Sequence, residues 1–492
     1  MRRVLTLGCA AAFILLCTMN SAGYRYGASD QALYTPAVLR HLDSALFPRD
    51  APLIDTQARL MLNDETVAGL ARVTRLSLQP LYFVLYLATL VLLLTAAMRF
   101  GARMYRTRVA CLALAAALTL RHAIARTGTN SLEGYFHPRQ VAFGFGLLAA
   151  AFFLERRDRL VVACLAGLAI AHTTTFVWFA IWLGVAAWFG RPEARRVLLA
   201  AASMAALVAI GMLWRGPFAG RLVRMDPVWL AVIRDKDYLF PLSWPIDAWV
   251  TNTITIPIVL VAWRWRVRTG LAVDGEGALV AGAMALAVLF VCWLPFDAAG
   301  VALAVQMQTS RLFWILDVLA TVYLVWAIAE GTARGASLAR RALATAVVLA
   351  ALSAARGAYI CFVQFPDRKI VSIDVQHDDW RHAMAWARTT DPRSGWLADP
   401  QHASRYGSSL RAIGERDVLL EDVKDAALAM YDRNIALRVA DRRAALAVHD
   451  WDTADGARAL ARLYDLDYLV TSAPVALPEA FRAGSLTIYR LH

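Results

Sequence analysis

The first polar segment of the chain, residues 21–79, carries the acidic side chains best suited to proton transfer. Asp30 lies ten residues beyond the first apolar run, which spans residues 4–20. A carboxylate just outside a bilayer can act as a general base towards an incoming hydroxyl group. The residues after Asp30 are typical of a helix start, so the same side chain suits an N-cap equally well. Asp50 is a second candidate base, although its position after Phe-Pro-Arg also fits a plain turn residue.

Basic and imidazole side chains stand where apolar runs begin or are interrupted. His137 and Arg139 open one run, and Arg311 precedes a later one. The guanidinium group presents a bidentate fork that matches a phosphate, but either arginine can instead anchor its helix at the membrane interface. His172, followed by three threonines, interrupts the longest apolar run. It either faces a site or caps a break in the helix.

Asp317 is an acidic residue inside an apolar run, where an unpaired charge is costly. Arg121 and Arg356 lie near or within other runs. We therefore expect Asp317 to pair with one of these arginines.

Nucleotide and zinc chemistry have no motif in this chain. There is no GxGxxG or Walker loop, and no CxxC pair or Cys/His cluster has zinc spacing. All six cysteines fall in or at the ends of apolar runs, so a disulfide framework is not expected. No metal ligands are predicted, no cofactor follows from the motifs, and a divalent metal ion is left open.

The elements that carry these residues are those of a polytopic membrane protein. The chain has 492 residues, of which 59% are hydrophobic and 18% charged, and its mean hydropathy is +0.48. A soluble domain has about 45–50% apolar and about 25% charged residues. Disorder, a secreted disulfide scaffold and a cytosolic enzyme are excluded. The net charge of +13 divides into +15 for residues 1–365 and −2 for residues 366–492. The basic excess thus lies between apolar runs, as the positive-inside rule requires, and nucleic acid is not an expected partner.

The longest apolar run, residues 160–190, has arginine clusters on both sides. The positive-inside rule places both clusters in the cytoplasm, so this run must cross the membrane an even number of times. A pair of short helices that meet near His172 on the outer side satisfies this condition. The total is then about 11 crossings, with the N-terminus inside. The ten apolar runs are 4–20, 80–98, 109–124, 140–154, 160–190, 197–213, 250–263, 277–294, 312–329 and 342–361.

The tail, residues 366–492, reads as a separate extracytoplasmic domain. It lacks long apolar runs and shows helix-like stretches at 377–389 and 422–447. Short strands are predicted at 395–398, 468–471 and 485–491. The predicted fold is therefore mainly α, a membrane helical bundle with a small C-terminal α/β domain.

Several short motifs together resemble a known family. The order Tyr-x-Tyr-x(3)-Asp30-Gln31-x(2)-Tyr34-x-Pro, followed by Leu-Phe-Pro-x-Asp50, is similar to bacterial polytopic proteins of the GT-C glycosyltransferase superfamily, of the RgtA/B/C/D-like kind. The similarity extends to His-Pro-Arg-Gln at 137–140, Ala-Gly-Leu-Ala-Ile-Ala-His-Thr at 166–173 and Gln-x(2)-Arg at 308–311. In the tail it includes the motifs that begin at Trp380, Leu463 and Leu486.

This resemblance implies a lipid-phosphate-linked sugar donor and an inverting transfer outside the membrane, with a first-loop aspartate as the base. On the matching positions that aspartate is Asp30, with Asp50 second, while Gln31 and Tyr34 would contact substrate. The chain departs from better-known members because no adjacent acidic pair stands near Asp30, Asp64-Glu65 being much further on.

The function predicted from the sequence is that of an integral-membrane glycosyltransferase. Its donor would be a polyprenyl-phosphate-linked sugar whose phosphate is held by Arg311, Arg139, His137 and His172. Its acceptor would be a glycan, a lipid or a protein. The expected location is the bacterial cytoplasmic membrane. The alternative is a transporter, flippase or scaffold for a lipid-linked saccharide, which would need polar residues at the bilayer midplane. The apolar runs are poor in such charges, which favours the enzyme.

Overall fold

The computed structural model describes residues 2–333, 335–373 and 378–492 and is mainly helical. Its helices are α1 Arg2–Asn20, α2 Gln31–Leu42, α3 Ala51–Ala58, α4 Asn63–Thr74, α5 Leu78–Met104, α6 Arg108–Thr119, α7 Pro138–Leu154, α8 Asp158–Ala171, α9 Thr173–Gly190, α10 Arg195–Trp214, α11 Pro227–Ile233, α12 Ile246–Thr253, α13 Thr255–Arg268, α14 Glu276–Ala298, α15 Ala302–Met307, α16 Phe313–Trp326, α17 Ala336–Tyr359, α18 Asp379–Ala387, α19 His402–Arg405, α20 Leu410–Ile413, α21 Asp422–Ala429, α22 Arg433–Val448 and α23 Ala454–Tyr464. Its strands are β1 Tyr24–Arg25, β2 Ala123–Ile124, β3 Thr129–Asn130, β4 Val371–Ser372, β5 Gly395–Ala398, β6 Asp417–Val418, β7 Tyr468–Thr471, β8 Glu479–Ala483 and β9 Leu486–Arg490.

Seven helical segments of the described residues are long and apolar enough to cross a membrane. They are Leu78–Met104, Thr173–Gly190, Pro192–Trp214, Ile246–Arg268, Glu276–Ala298, Ala302–Gly331 and Ser337–Gln364. Shorter apolar helices are Leu7–Asn20, Arg108–Thr119 and Pro138–Leu154. The chain is therefore a mainly helical membrane protein, while the count of 11 crossings and their direction stay predictions.

The long apolar run 160–190 is divided into two helices, which confirms the predicted break. Helix α8 ends at Ala171 and α9 begins at Thr173, with His172 in an extended conformation between them. The His172 Nδ1 atom accepts a hydrogen bond from the amide of Thr175 at 3.3 Å. The imidazole thus caps α9, which gives the break a local cause. That the break faces the outer side remains a prediction.

The chain forms two compact units, and the first consists of residues 1–24, 84–223 and 237–371. In this unit α9 packs closely against both α7 and α14. A side chain at Gly146 would place its Cβ 2.3 Å from the ring of Phe179, and one at Gly282 would lie 2.4 Å from the Trp182 carbonyl oxygen. Glycine at these two positions allows the helices to approach, which fixes α9 and the break at its start.

The second unit combines residues 25–83 and 224–236 with the tail from residue 372 onward. Its five-stranded sheet has the order β6-β5-β7-β9-β8. Strand β5 pairs in parallel with β6 and β7, whereas β9 pairs antiparallel with β7 and β8. The compact unit that contains the tail thus also contains most of the first polar segment.

The mixed helix and strand content predicted for the tail is confirmed. Strands β5 and β7 match the predicted bounds, and β9 lies within the predicted 485–491. Strands β6 and β8 were not predicted, and the predicted helix 422–447 is two helices, α21 and α22.

Candidate functional site

Four of the predicted site residues, His137, Arg139, His172 and Arg311, lie together in the first unit; we name them the His172 cluster. The His172 side chain is 4% exposed. The charges of Arg311, Arg139 and His137 act on this buried imidazole. Two arginines thus make the surroundings of the buried imidazole electropositive.

Arg139 is positioned by the local structure at the start of α7. Pro138 occupies the first turn, where its missing amide hydrogen costs nothing. The His137 side chain caps the helix by accepting a hydrogen bond from the Arg139 amide at 3.0 Å. The buried Arg139 guanidinium lies 3.4 Å from Glu133, a carboxylate that sequence reasoning did not single out. Glu133 orients this cation and offsets part of its charge.

Arg311 lies in the 3-10 turn Thr309–Leu312 that joins α15 to α16. Its guanidinium carbon lies 5.5 Å from the centre of the Tyr238 ring. The turn follows Gln308, a buried residue in the left-handed conformation with φ +51°. Non-glycine residues in this conformation are strained and often occur at functional sites. The left-handed conformation of Gln308 changes the direction of the chain before this turn and so determines where Arg311 lies.

Three buried donors on the same elements have no hydrogen-bond partner within the described part of the chain: Gln140 Nε2, Trp178 Nε1 and Trp314 Nε1. Gln140 follows Arg139 on α7. Trp314 stacks on Phe143 at 3.8 Å between ring centres, and Phe143 also contacts Phe179 of α9 at 6.1 Å. Buried donors are normally satisfied. Because all three groups are hydrogen-bond donors, they suit a ligand rich in acceptor oxygens, such as a phosphate or a sugar.

Asp30 lies in the second unit, immediately before α2. Asp30 occupies the N-cap position of this helix, as the alternative interpretation had it, but its side chain makes no capping hydrogen bond to the helix. The carboxylate pairs instead with Lys424, whose Nζ lies 2.8 Å from Oδ1. The Asp30 side chain remains 29% exposed and that of Lys424 15% exposed. Asp30 is thus oriented by a partner from the tail and is still open to a solute.

Gln31 and Tyr34 are buried on α2 next to Asp30. The Gln31 Oε1 atom accepts a hydrogen bond from the Gly27 amide at 2.6 Å. Gly27 has φ +75°, which glycine adopts without strain. Gln31 therefore stabilises the turn that precedes Asp30, and its predicted contact with substrate stays a prediction, as does that of Tyr34.

Asp50 also lies in the second unit but is 1% exposed and surrounded by arginines. Its Oδ2 accepts from Arg411 Nε at 2.6 Å, and Arg438 and Arg442 also face it. Burial alone would raise the pKa of Asp50, but the charges of Arg411, Arg438 and Arg442 hold it well below its usual range. These contacts make Asp50 part of the interior of this unit, which leaves Asp30, with its partly exposed side chain, as the candidate base.

The partner of Asp317 and the place of Lys424 beside Asp30 differ from what the sequence predicted. Asp317 pairs with His122, at 3.0 Å between Oδ2 and Nδ1, so the expected pairing with Arg121 or Arg356 is wrong. Lys424 was missed, although the rarity of lysine in the chain was an available signal.

Among the described residues, no group of three or more His, Cys, Asp and Glu side chains is arranged to hold a metal ion.

Comparison with known proteins adds little to this geometry. No family model matches the chain, and no curated protein matches it. A solved structure that aligns with it is the archaeal oligosaccharyltransferase AglB from Archaeoglobus fulgidus, in complex with an inhibitory peptide and a dolichol-phosphate. The two share 11% sequence identity at a TM-score of 0.42, over 95% of this chain and 69% of the archaeal one.

Proposed function

We propose that this chain is an integral-membrane glycosyltransferase that takes a sugar from a polyprenyl-phosphate-linked donor on the outer face of the cytoplasmic membrane. The proposal is carried by the His172 cluster, in which the charges of two arginines and His137 act on a buried imidazole at a helix break. Cations and unpartnered donors in a buried setting favour a ligand with a phosphate group. A helix break among apolar helices is tolerated where it lines a cavity.

The proposed reaction is an inverting transfer with Asp30 as the general base. The acceptor hydroxyl gives its proton to the Asp30 carboxylate while its oxygen forms a bond to the anomeric carbon. The bond from that carbon to the phosphate oxygen breaks, and its electron pair leaves with the lipid phosphate. Arg311 and Arg139 would stabilise the charge that the phosphate gains, the usual role of fixed cations in a dry site.

The acceptor is proposed to be a glycan, a lipid or a protein that presents a hydroxyl outside the membrane. The tail, in the same compact unit as Asp30, would contribute to acceptor binding. The resemblance to bacterial GT-C proteins further supports a bacterial cytoplasmic membrane location.

Transfer by the full chain in lipid vesicles tests this function, with synthetic decaprenyl-phosphate hexoses and pentoses as donors. Asp30→Asn keeps the shape of the side chain and removes its charge, so transfer should fall by about 100-fold or more. Asp55→Asn is the matched control, because Asp55 is an exposed carboxylate of the same polar segment that pairs with Arg40. Full transfer by Asp30→Asn would leave the base unidentified. Movement of donor across the bilayer without sugar transfer would instead support the transporter.

A further inference from the structure

Lysine is rare in this chain. Only three of the 51 basic residues are lysines: Lys236, Lys369 and Lys424. Two of them lie close together in the second unit, because the Lys236 Nζ donates to the carbonyl oxygen of Val423 at 3.0 Å. Lysine carries its charge at one compact, rotatable ammonium group, whereas arginine spreads it over a planar fork. A lysine is therefore suited to hold a single carboxylate oxygen.

The Lys424 ammonium group engages one oxygen of Asp30. Lys424 lies in the first turn of α21, and its Nζ is 2.8 Å from Asp30 Oδ1. Because the Asp30 side chain makes no capping hydrogen bond to α2, this ion pair orients its carboxylate from outside its own helix. An ion pair that is still partly exposed adds only about 0–1 kcal/mol to stability. Stability alone therefore does not account for a lysine at this position.

The other charges around Lys424 are accounted for within the same unit. Asp422, on its own helix, pairs with Arg443 of α22 at 2.5 Å. Lys236, which follows α11, is a second cation of this region; burial lowers its pKa, Asp422 raises it, and the charges of Lys424 and Arg443 lower it further. Among these groups, Asp30 is the carboxylate that the structure pairs with Lys424.

We infer that Lys424 is a positioning residue for Asp30: its ammonium group fixes the direction of the carboxylate and aims it at the acceptor hydroxyl. A base must lie within hydrogen-bond reach of the proton that it accepts, so the orientation of its carboxylate decides whether it can act. Lys424 touches neither donor nor acceptor in this role and acts through Asp30. The inference rests on the proposed function, since it assigns a task to a neighbour of the proposed base.

Steady-state transfer by the full chain in vesicles, with the most active decaprenyl-phosphate sugar, tests this role. Lys424→Met should lower kcat by about 10- to 100-fold, the scale of a misplaced catalytic group, and leave KM for the donor within about two-fold, since the donor phosphate is bound elsewhere. Lys424→Arg should restore part of kcat. Lys369→Met is the matched control, because Lys369 is the exposed third lysine.

The double variant separates action through Asp30 from a structural effect. If Lys424 acts through Asp30, Asp30→Asn with Lys424→Met should be no slower than Asp30→Asn alone. The inference would be overturned if the rate losses of the two single variants multiply in the double variant, or if Lys424→Met changes KM alone. If Lys424→Met does not fold, Lys424→Arg and Lys424→Gln are compared instead. Equal transfer rates in these two folded variants would also overturn the inference.

The failure of this inference can be told from the failure of the proposed function. Loss of transfer in Asp30→Asn but not in Lys424→Met would remove only the positioning role. Full transfer in Asp30→Asn, or no transfer by the unaltered protein from any donor of the panel, would remove the proposed base and this inference with it.

Discussion

Arg411 places its Nε atom 2.6 Å from Oδ2 of Asp50, although 361 positions separate the two residues in the chain. The Arg411 side chain is 2% exposed and that of Asp50 1% exposed. Arg411 also pairs with Asp425, whose Oδ2 lies 3.0 Å from Nη2. The pair links the first polar segment to the tail within one compact unit. A buried charge without its partner is strongly destabilising, which makes this contact important for folding.

Arg411→Met should therefore lower the free energy of unfolding by about 3–5 kcal/mol, because it leaves buried carboxylates uncompensated. Thermal unfolding of the detergent-solubilised chain measures this loss. Arg40→Met is the control: its partner Asp55 is 57% exposed, and breaking such a pair costs about 0–1 kcal/mol. Equal effects of the two changes would contradict a structural role for the Asp50–Arg411 pair.

Asp64 should make stability depend on pH. Burial raises the pKa of Asp64 to about 7. Between about pH 4 and pH 7 the folded chain keeps this proton while the unfolded chain releases it, so stability falls as pH rises through that window. Asp64→Asn should remove this dependence and raise the unfolding temperature at pH 8 but much less at pH 4. A gain of the same size at both pH values would show that ionisation of Asp64 is not the cause.

Trp314 should contribute a hydrogen bond to the donor. Trp314→Phe removes an indole N–H that has no partner among the described residues but retains a ring to stack on Phe143. Donor affinity should fall by about 3- to 10-fold, the scale of one hydrogen bond, without loss of thermal stability. Titration of the most active decaprenyl-phosphate sugar into the detergent-solubilised chain, without acceptor, measures it.

The contrasting variant is Trp182→Phe. The Trp182 indole N–H donates to the Leu279 carbonyl oxygen at 2.8 Å. This change should cost about 1–3 kcal/mol of stability and leave donor affinity unchanged. If Trp314→Phe behaves like Trp182→Phe, the indole of Trp314 has a structural task.

Arg311 should act in donor binding as well as in transfer. Arg311→Ala should weaken decaprenyl phosphate binding by about 10- to 100-fold, the scale of a charged hydrogen bond, and Arg311→Lys by less because it keeps the charge. Arg215→Ala, at an exposed arginine of the same unit, is the control. Unchanged affinity in Arg311→Ala would assign Arg311 to anchoring its helix.

Several elements follow from the sequence because their causes are local. The mainly apolar run of 31 residues between two arginine clusters is too long for one crossing, and its polar His-Thr-Thr-Thr stretch supplies the break that occurs at His172. Strands β5 and β7 were predictable because each is a short apolar run bounded by turn residues. Strand β6, by contrast, has two residues, Asp417–Val418, too few to show any periodicity.

The tertiary structure alone decided which distant charges meet. Asp30 and Lys424 lie 394 positions apart, and Asp317 is paired with His122 where an arginine was expected. A periodic pattern shows which face of a helix is buried, because it reflects the few residues of each turn. It carries no information on which other element covers that face. The partner of a buried or half-buried charge depends on how helices distant in the chain pack together, and this packing is a property of the whole folded unit.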